Sequence, residues 1–439
     1  MLRRKIYEEL LKWKNSTEHK CLMVKGARQV GKTFIIDLFG RQEFKSYIYL
    51  NFLRNENLKE IFEESLEPDD IYRQISLRVS DARFIENDTL IFFDEIQACP
   101  KARTSLKFLS IDGRYRIIAS GSLLGIKYRE RDEGSFSVPV GYEKDIEMFS
   151  LDFEEYLWAR GVNENAVSAL KSYFLNKQKV PDDINTLYMN YFKEYICVGG
   201  MPDVVNTFIE TNNFQEANRK QNEILQNYRD DIMHYAPNTM KQKITNCYNS
   251  IPAQFSKEYT KFQYSVIESK GTSKKYESAV DWLLDAGMVK KCVNVSTPLF
   301  PLKGYEKPNE FKLYLTDTGL LTSMFGFNTQ VAIMTDELKS TTKGGIFENA
   351  AFVCLMNRID TLHYFKNQGN TQEIEFIFES RTGAEVIPVE VKAKNVQTIS
   401  LNNFIETFKP SIAYKVIDGN LGISGNKFTI PFYMLLFAE

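Results

Sequence analysis

Histidine is scarce: only His19, His234 and His363 occur in 439 residues. The six cysteines (Cys21, Cys99, Cys197, Cys247, Cys292 and Cys354) stand far apart, with no Cys-x-x-Cys spacing. A structural zinc site needs clustered thiolates or imidazoles and is not expected here. Scattered, unpaired thiols fit a reducing, cytoplasmic setting. Net charge is also nearly absent. Fifty-five Lys and Arg face 57 Asp and Glu, so no whole-chain field attracts nucleic acid and any basic surface must be local. Long apolar runs are missing too. A stretch such as Ile430 to Ala438 is about half of the ~20 residues a spanning helix needs, so no membrane segment is expected. The opening MLRRKIYEELLKWKNS reads as a charged amphipathic helix without a signal-peptide core, which argues against secretion.

What is present is an ordinary globular composition, 43% apolar and 26% charged, without repeats or low-complexity tracts. The length is about three times that of a typical ~150-residue domain, which predicts two to four of them. Between residues 20 and 150, CLMVK (21–25), YIYLNF (47–52), LIFFDE (90–95) and RIIAS (116–120) alternate with amphipathic stretches. Continuous apolar runs ending in polar residues are the pattern of parallel strands buried on both faces. Residues 1–152 therefore read as an α/β nucleotide-type domain. Residues 153–235 are helical in pattern throughout, a connector or lid. Over 236–330, short helices and YESAVDWLLDAG, with Val280, Leu283 and Leu284 on one face and Gly287 as a stop, precede two strands, MVKKCVNVS and FKLYLTD. That is a winged-helix outline. Residues 331–439 begin with a polar stretch, then a helix (IFENAAFVCLMNRI) and several strands, a further α/β domain.

Gly26, Ala27, Arg28, Gln29, Val30, Gly31, Lys32 and Thr33 lie between the strand CLMVK and the helical FIIDLF, the context required of a G-x-x-x-x-G-K-[ST] phosphate loop. Backbone N–H groups and the helix N-terminus cradle phosphate. Lys32 is expected on the β- and γ-phosphates of ATP, and Thr33 on Mg²⁺. LIFFDE ends in two carboxylates: Asp94 to anchor the Mg²⁺ through water, and Glu95 to orient or deprotonate the attacking water. RIIASGS ends in Ser120 and Ser122, of which Ser120 is preferred as the γ-phosphate sensor. The additional cation that hydrolysis calls for has five candidates, Arg103, Arg114, Arg129, Arg131 and Arg229, which sequence does not rank.

Near the C-terminus, EIEFIFES and EVIPVEVKAK alternate as strands about a turn from Ser380 to Gly383, an antiparallel hairpin. Alternation puts Glu373 and Glu375 on one face, and Glu390 and Lys392 on one face. Should the faces coincide, Glu375 and Glu390 are placed to hold a metal beside Lys392, with Glu348 on the preceding helix completing the cluster, as a phosphodiester-cleaving site would require. A charged sheet face with cross-strand ion pairs is the plainer alternative. Residues 335–439 carry ten Lys and Arg against twelve acids, whereas residues 236–330 carry twelve lysines against eight acids and no arginine. Contact with DNA would thus fall to Lys274, Lys275, Lys290 and Lys291, without arginine for base readout. Asp317 or Thr318 reads as a helix cap.

The motifs GARQVGKT, LIFFDEIQ, IIASGSLLG, LDFEEYLWARG, VGGMPDVV, WLLDAGMV, FKLYLTDTGLL, GGIFENAAF, EIEFIF and PVEVKAKN occur in that order, from about Lys20 to about Phe404. Together they resemble the prokaryotic AAA-type ATPases that carry a C-terminal region called DUF4143. The resemblance implies a winged-helix element and a restriction-endonuclease-like PD-(D/E)xK fold after the ATPase domain, with Glu348, Glu375, Glu390 and Lys392 at the nuclease positions. Two departures stand out: Glu375, where relatives usually have aspartate, and Gly141-Tyr142, where many read Gly-Arg. Two functions follow as expectations. One is a Mg²⁺-dependent ATPase coupled to a nuclease-like domain acting on or near double-stranded DNA. The other is a regulatory ATP switch whose silent nuclease fold binds protein or nucleic acid. Oligomerisation is compatible with both, and a DNA-translocating ring ranks below them.

Overall fold

Five strands, β1 (Cys21–Gly26), β2 (Ser46–Asn51), β3 (Thr89–Asp94), β4 (Arg116–Ser122) and β5 (Glu143–Glu147), form an all-parallel sheet in the order β2-β3-β4-β1-β5. They belong to a computed structural model that describes residues 1–123, 141–256, 261–338, 341–367, 369, 372–393 and 398–438. The chain divides into two compact units, one of Arg4–Phe149 with Asp285–Gly287, the other of Met1–Arg3, Ser150–Leu284 and Met288–Glu439. In the first, every residue of β3 is buried, as its unbroken apolar run requires of a strand covered on both faces. Helices Lys32–Glu43, Pro68–Arg78 and Pro100–Asp112 make the crossovers. Phe52, Phe62 and Phe93 meet edge to face at 5.5–5.7 Å and knit β3 to the neighbouring turns. Since β4 lies between β1 and β3, the phosphate loop after β1 and the carboxylates at the end of β3 flank the end of β4.

The second unit starts with helices Phe153–Ala159, Glu164–Leu175, Asp182–Val198, Pro202–Thr211 and Phe214–Tyr235. The hairpin read from sequence as a wing is β6 (Val289–Val295) with β7 (Glu306–Leu315). It does not stand apart: β6 pairs in parallel with β8 (His363–Lys366). Through β8 the hairpin joins β9 (Glu373–Glu379), β10 (Val386–Lys392), β11 (Ala413–Ile417), β12 (Gly422–Ser424) and β13 (Lys427–Pro431) in a mixed sheet ordered β12-β13-β11-β10-β9-β8-β6-β7. The four segments drawn from the sequence thus fall into two units. Hairpins are local and show in the pattern, whereas a parallel pairing between β6 and β8 carries no local signal. Behind the sheet, Gly345–Leu355 of the helix Thr341–Met356 is buried throughout, which is why this segment is apolar on all sides.

Asp317 caps the helix that follows β7, accepting from the backbone N–H of Leu320 at 3.0 Å and also from that of Gly200 at 2.8 Å. The second bond explains the paired glycines of VGGMP. Gly199 has φ +79, and a Cβ there would lie 2.3 Å from Asp317 Oδ1; at Gly200 it would lie 2.1 Å from the Leu151 carbonyl oxygen. The apolar run near the C-terminus is the end of β13 and a buried 3-10 turn, Phe432–Phe437. Among the described residues no helix is long and apolar enough to cross a membrane.

Candidate active site

Between β1 and the helix Lys32–Glu43, the chain passes through left-handed positions at Gln29 (φ 66) and Gly31 (φ 92), turning its N–H groups inward as an anion-binding loop does. Lys32 Nζ donates to the carbonyl oxygens of Gly26 (3.0 Å) and Ala27 (2.7 Å). Burial pushes its pKa down to about 8, against the pull of Glu95 and Asp94. Phosphate would displace these two carbonyls and restore the full charge. Lys32→Ala should therefore lose ATP binding by a factor of about a hundred or more, read by equilibrium binding of a fluorescent nucleotide. The wild type should take up a proton on binding above pH 8, so its affinity falls as pH rises through that range.

Asp94 organises the other side. Its carboxylate accepts from Thr33 Oγ1 (3.2 and 3.3 Å), Ser120 Oγ (2.5 Å), Tyr49 Oη (2.8 Å), Asn51 Nδ2 (3.0 Å) and the Glu95 N–H (3.1 Å). The side-by-side hydroxyl of Thr33 and carboxylate of Asp94 fit a hard, oxygen-seeking cation such as Mg²⁺. The sequence points to Thr33, Asp94 and Ser120, and the structure brings them together. Tyr49 and Asn51 it missed, although the alternation in YIYLNF sets both on one face at the end of β2, where Asn51 is in register with Asp94. Glu95 follows in a left-handed conformation (φ 54, ψ 46), strained for a residue with a side chain.

The arginines separate. Arg103 and Glu143 form a buried ion pair, Nη2 to Oε1 2.6 Å. Arg114 is held by Asp112 (2.8 Å) and Asp69 (2.5 Å), and Arg229 lies over the Tyr248 ring at 6.0 Å. Arg129 and Arg131 lie outside the described residues.

On the second unit's sheet, the faces of β9 and β10 do coincide. Lys392 Nζ bridges Glu375 Oε1 (2.7 Å) and Glu390 Oε1 (3.0 Å). Glu348 instead accepts from Lys312 Nζ (2.9 Å) and Tyr314 Oη (2.5 Å). Lys312 also reaches Glu373 (2.8 Å), which pairs with Lys366 (3.0 Å). Lys312 and Tyr314, missed at the sequence level, were signalled by a lysine inside the otherwise apolar strand FKLYL. Burial raises the carboxyl groups of Glu375 and Glu390, the latter to about 7 with help from Glu375, while Lys392 opposes. Burial also raises Glu373, but Lys312 and Lys366 outweigh it and bring the group down to about 2. Burial would lower Lys312, and the glutamates around it reverse that and raise it. Three lysines thus face four glutamates, one of which titrates near neutrality. Among the described residues no three carboxylates, imidazoles or thiols are grouped to hold a metal ion. In this arrangement the ammonium groups of Lys312, Lys366 and Lys392 supply the positive charge.

Of the lysines expected on DNA, Lys274 and Lys275 are exposed, with Lys275 paired to Glu268, and Lys291 is paired to Asp281 at 3.1 Å.

The AAA domain model matches residues 18–157, which span the phosphate loop and the Asp94 strand, and the model of a domain of unknown function, DUF4143, matches residues 343–434. The chain is an AAA-type protein with a C-terminal DUF4143 region. It is an ATP-binding ATPase of the α/β class. A second domain of unknown function, DUF8612, matches residues 189–331 of this ATPase. Similar solved structures include the Walker-type ATPase of Pyrococcus abyssi, 12% identical with a TM-score of 0.45, covering 74% of this chain and 96% of that one. The Aeropyrum pernix ORC1 protein in complex with DNA is 12% identical with a TM-score of 0.29, covering 76% and 94% respectively. The Thermotoga maritima RuvB Holliday junction branch migration motor is 10% identical with a TM-score of 0.28, covering 66% and 89%. No curated protein matches the chain.

Proposed function

We propose that this ATPase is a Mg²⁺-dependent molecular switch whose DUF4143 region, on a nuclease-like fold, binds a partner and does not cut DNA. In the ATPase step Lys32 holds the β- and γ-phosphates, Glu95 takes a proton from the attacking water, and Ser120, beside Asp94, reads the γ-phosphate. Bound Mg²⁺, held through Thr33 and Asp94, would supply charge to offset that of the phosphates. The observation that carries the silent reading is Lys392, whose ammonium bridges both Glu375 and Glu390. Burial and the neighbouring Glu375 also raise the Glu390 carboxyl to about 7, so it is only partly ionised at neutral pH. A metal-assisted hydrolase needs those oxygens ionised and open to a cation.

The coupled-nuclease reading is separated by one experiment: incubation of the full chain with single- and double-stranded DNA, ATP and Mg²⁺ or Mn²⁺, followed on a gel. Intact DNA in the presence of active ATP turnover is the expected result. Cleavage that disappears in Lys392→Ala would establish the nuclease instead.

A further inference from the structure

Asp94 and Glu95 are followed by a tight turn. Ile96–Ala98 is one turn of 3-10 helix, closed by the Ala98 N–H on the Glu95 carbonyl (2.8 Å) and the Cys99 N–H on that of Ile96 (3.0 Å). Ile96 is fully buried and pins the turn from below, and Pro100 opens the next helix. This geometry folds the side chain of Gln97 back onto its neighbour two residues earlier, and its Nε2 donates to Glu95 Oε2. Reversing the amide would set Oε1 against a carboxylate, so the chemistry decides the orientation. Gln97 Oε1, at the other end, is buried and meets no donor among the described residues. An apolar side chain of the same length would fill the space without leaving a polar atom unsatisfied. The amide's one side-chain bond among the described residues is therefore its bond to Glu95.

We infer that Gln97 is a positioning residue for ATP hydrolysis. By holding Oε2 it fixes the Glu95 carboxylate in one rotamer and leaves Oε1 for the proton of the attacking water. That water's oxygen bonds to the γ-phosphorus as the bond to the bridging oxygen of ADP breaks. One proton passes to Glu95, and Gln97 neither gains nor loses one. This rests on the reading of Glu95 as the base.

The test is steady-state kinetics on the full chain with Gln97→Met, Glu95→Gln and the double variant. Gln97→Met should lower kcat roughly tenfold with KM for ATP and nucleotide affinity within about twofold of the wild type. Gln97→Asn, with the amide one methylene short, should fall between them. In the Glu95→Gln background, Gln97→Met should cost nothing further, since the two act as one unit. Wild-type kcat in Gln97→Met overturns the inference, as does a joint loss of kcat, affinity and thermal stability, which would mark a structural role. Should the methionine variant fold poorly, Gln97→Ala serves the same comparison. If Glu95→Gln turns over ATP normally, the base assignment itself fails; if it is blocked while Gln97→Met is silent, only the positioning role is lost.

Discussion

Glu95→Gln should bind ATP about as tightly as the wild type while hydrolysing it roughly a thousandfold more slowly, the scale of a lost general base. The substitution is isosteric, and its amide oxygen can still accept from Gln97. It leaves untouched the donors gathered on Asp94 from Thr33, Ser120, Tyr49 and Asn51 and the carbonyl-held Lys32. What it removes is the one group at the end of β3 placed to accept a proton without also anchoring the metal. Single-turnover hydrolysis of labelled ATP, beside equilibrium binding, separates the two effects. Turnover within threefold of the wild type would show that another group activates the water.

The second large effect is on stability. Lys312 is buried, its ammonium 5.0 Å from the centre of the Tyr364 ring and shared between Glu348 and Glu373. Lys312→Met keeps most of the side-chain volume and removes the charge, so Glu348 and Glu373 lose a shared counter-ion in a low-dielectric setting. Breaking a buried pair from one side costs about 3–5 kcal/mol, because the abandoned charge must be desolvated or protonated. Tyr314 and Lys366 retain part of the compensation, which places the expected loss toward the lower end of that range. Urea unfolding followed by near-ultraviolet circular dichroism measures it. Adding Glu348→Gln and Glu373→Gln to Lys312→Met should recover much of the loss, as removal of both partners does. A cost below about 1 kcal/mol for Lys312→Met alone would show that the cluster is open to water.

Much of the first unit was legible because its signals are local. A buried parallel strand needs an unbroken apolar run, a phosphate loop needs glycine where φ is positive, and both leave their mark within a dozen residues. Asp94 and Ser120 could be named for the same reason, each at the end of such a run, and Thr33 because it closes the phosphate-loop motif. Tyr49 and Asn51 escaped because polar residues closing a neighbouring strand have no motif of their own, and only the register of β2 against β3 brings them to Asp94. The alternation of β9 and β10 paired Glu373 with Glu375 and Glu390 with Lys392 but left open whether the two faces coincide, which the contacts of Lys392 with Glu375 and Glu390 decide. It could not show Lys312 arriving from β7, eighty residues before Lys392, to take up the charge of Glu348 and Glu373. That contact depends on the order of an eight-stranded sheet, which is a property of the whole second unit. The lysines of residues 236–330 gave the reverse lesson. Counted in the sequence they make a basic segment, yet two of the four expected on DNA, Lys275 and Lys291, are engaged by Glu268 and Asp281, a pairing that a count does not show.

The most direct measurement is ATP turnover by the purified full chain, with Mg²⁺ supplied or withheld and with single- or double-stranded DNA present or absent, the same samples then being run on a gel. Turnover that requires Mg²⁺, vanishes in Lys32→Ala and leaves the DNA intact is the predicted result. Turnover that survives Lys32→Ala, or DNA cleavage that depends on Lys392, would contradict it.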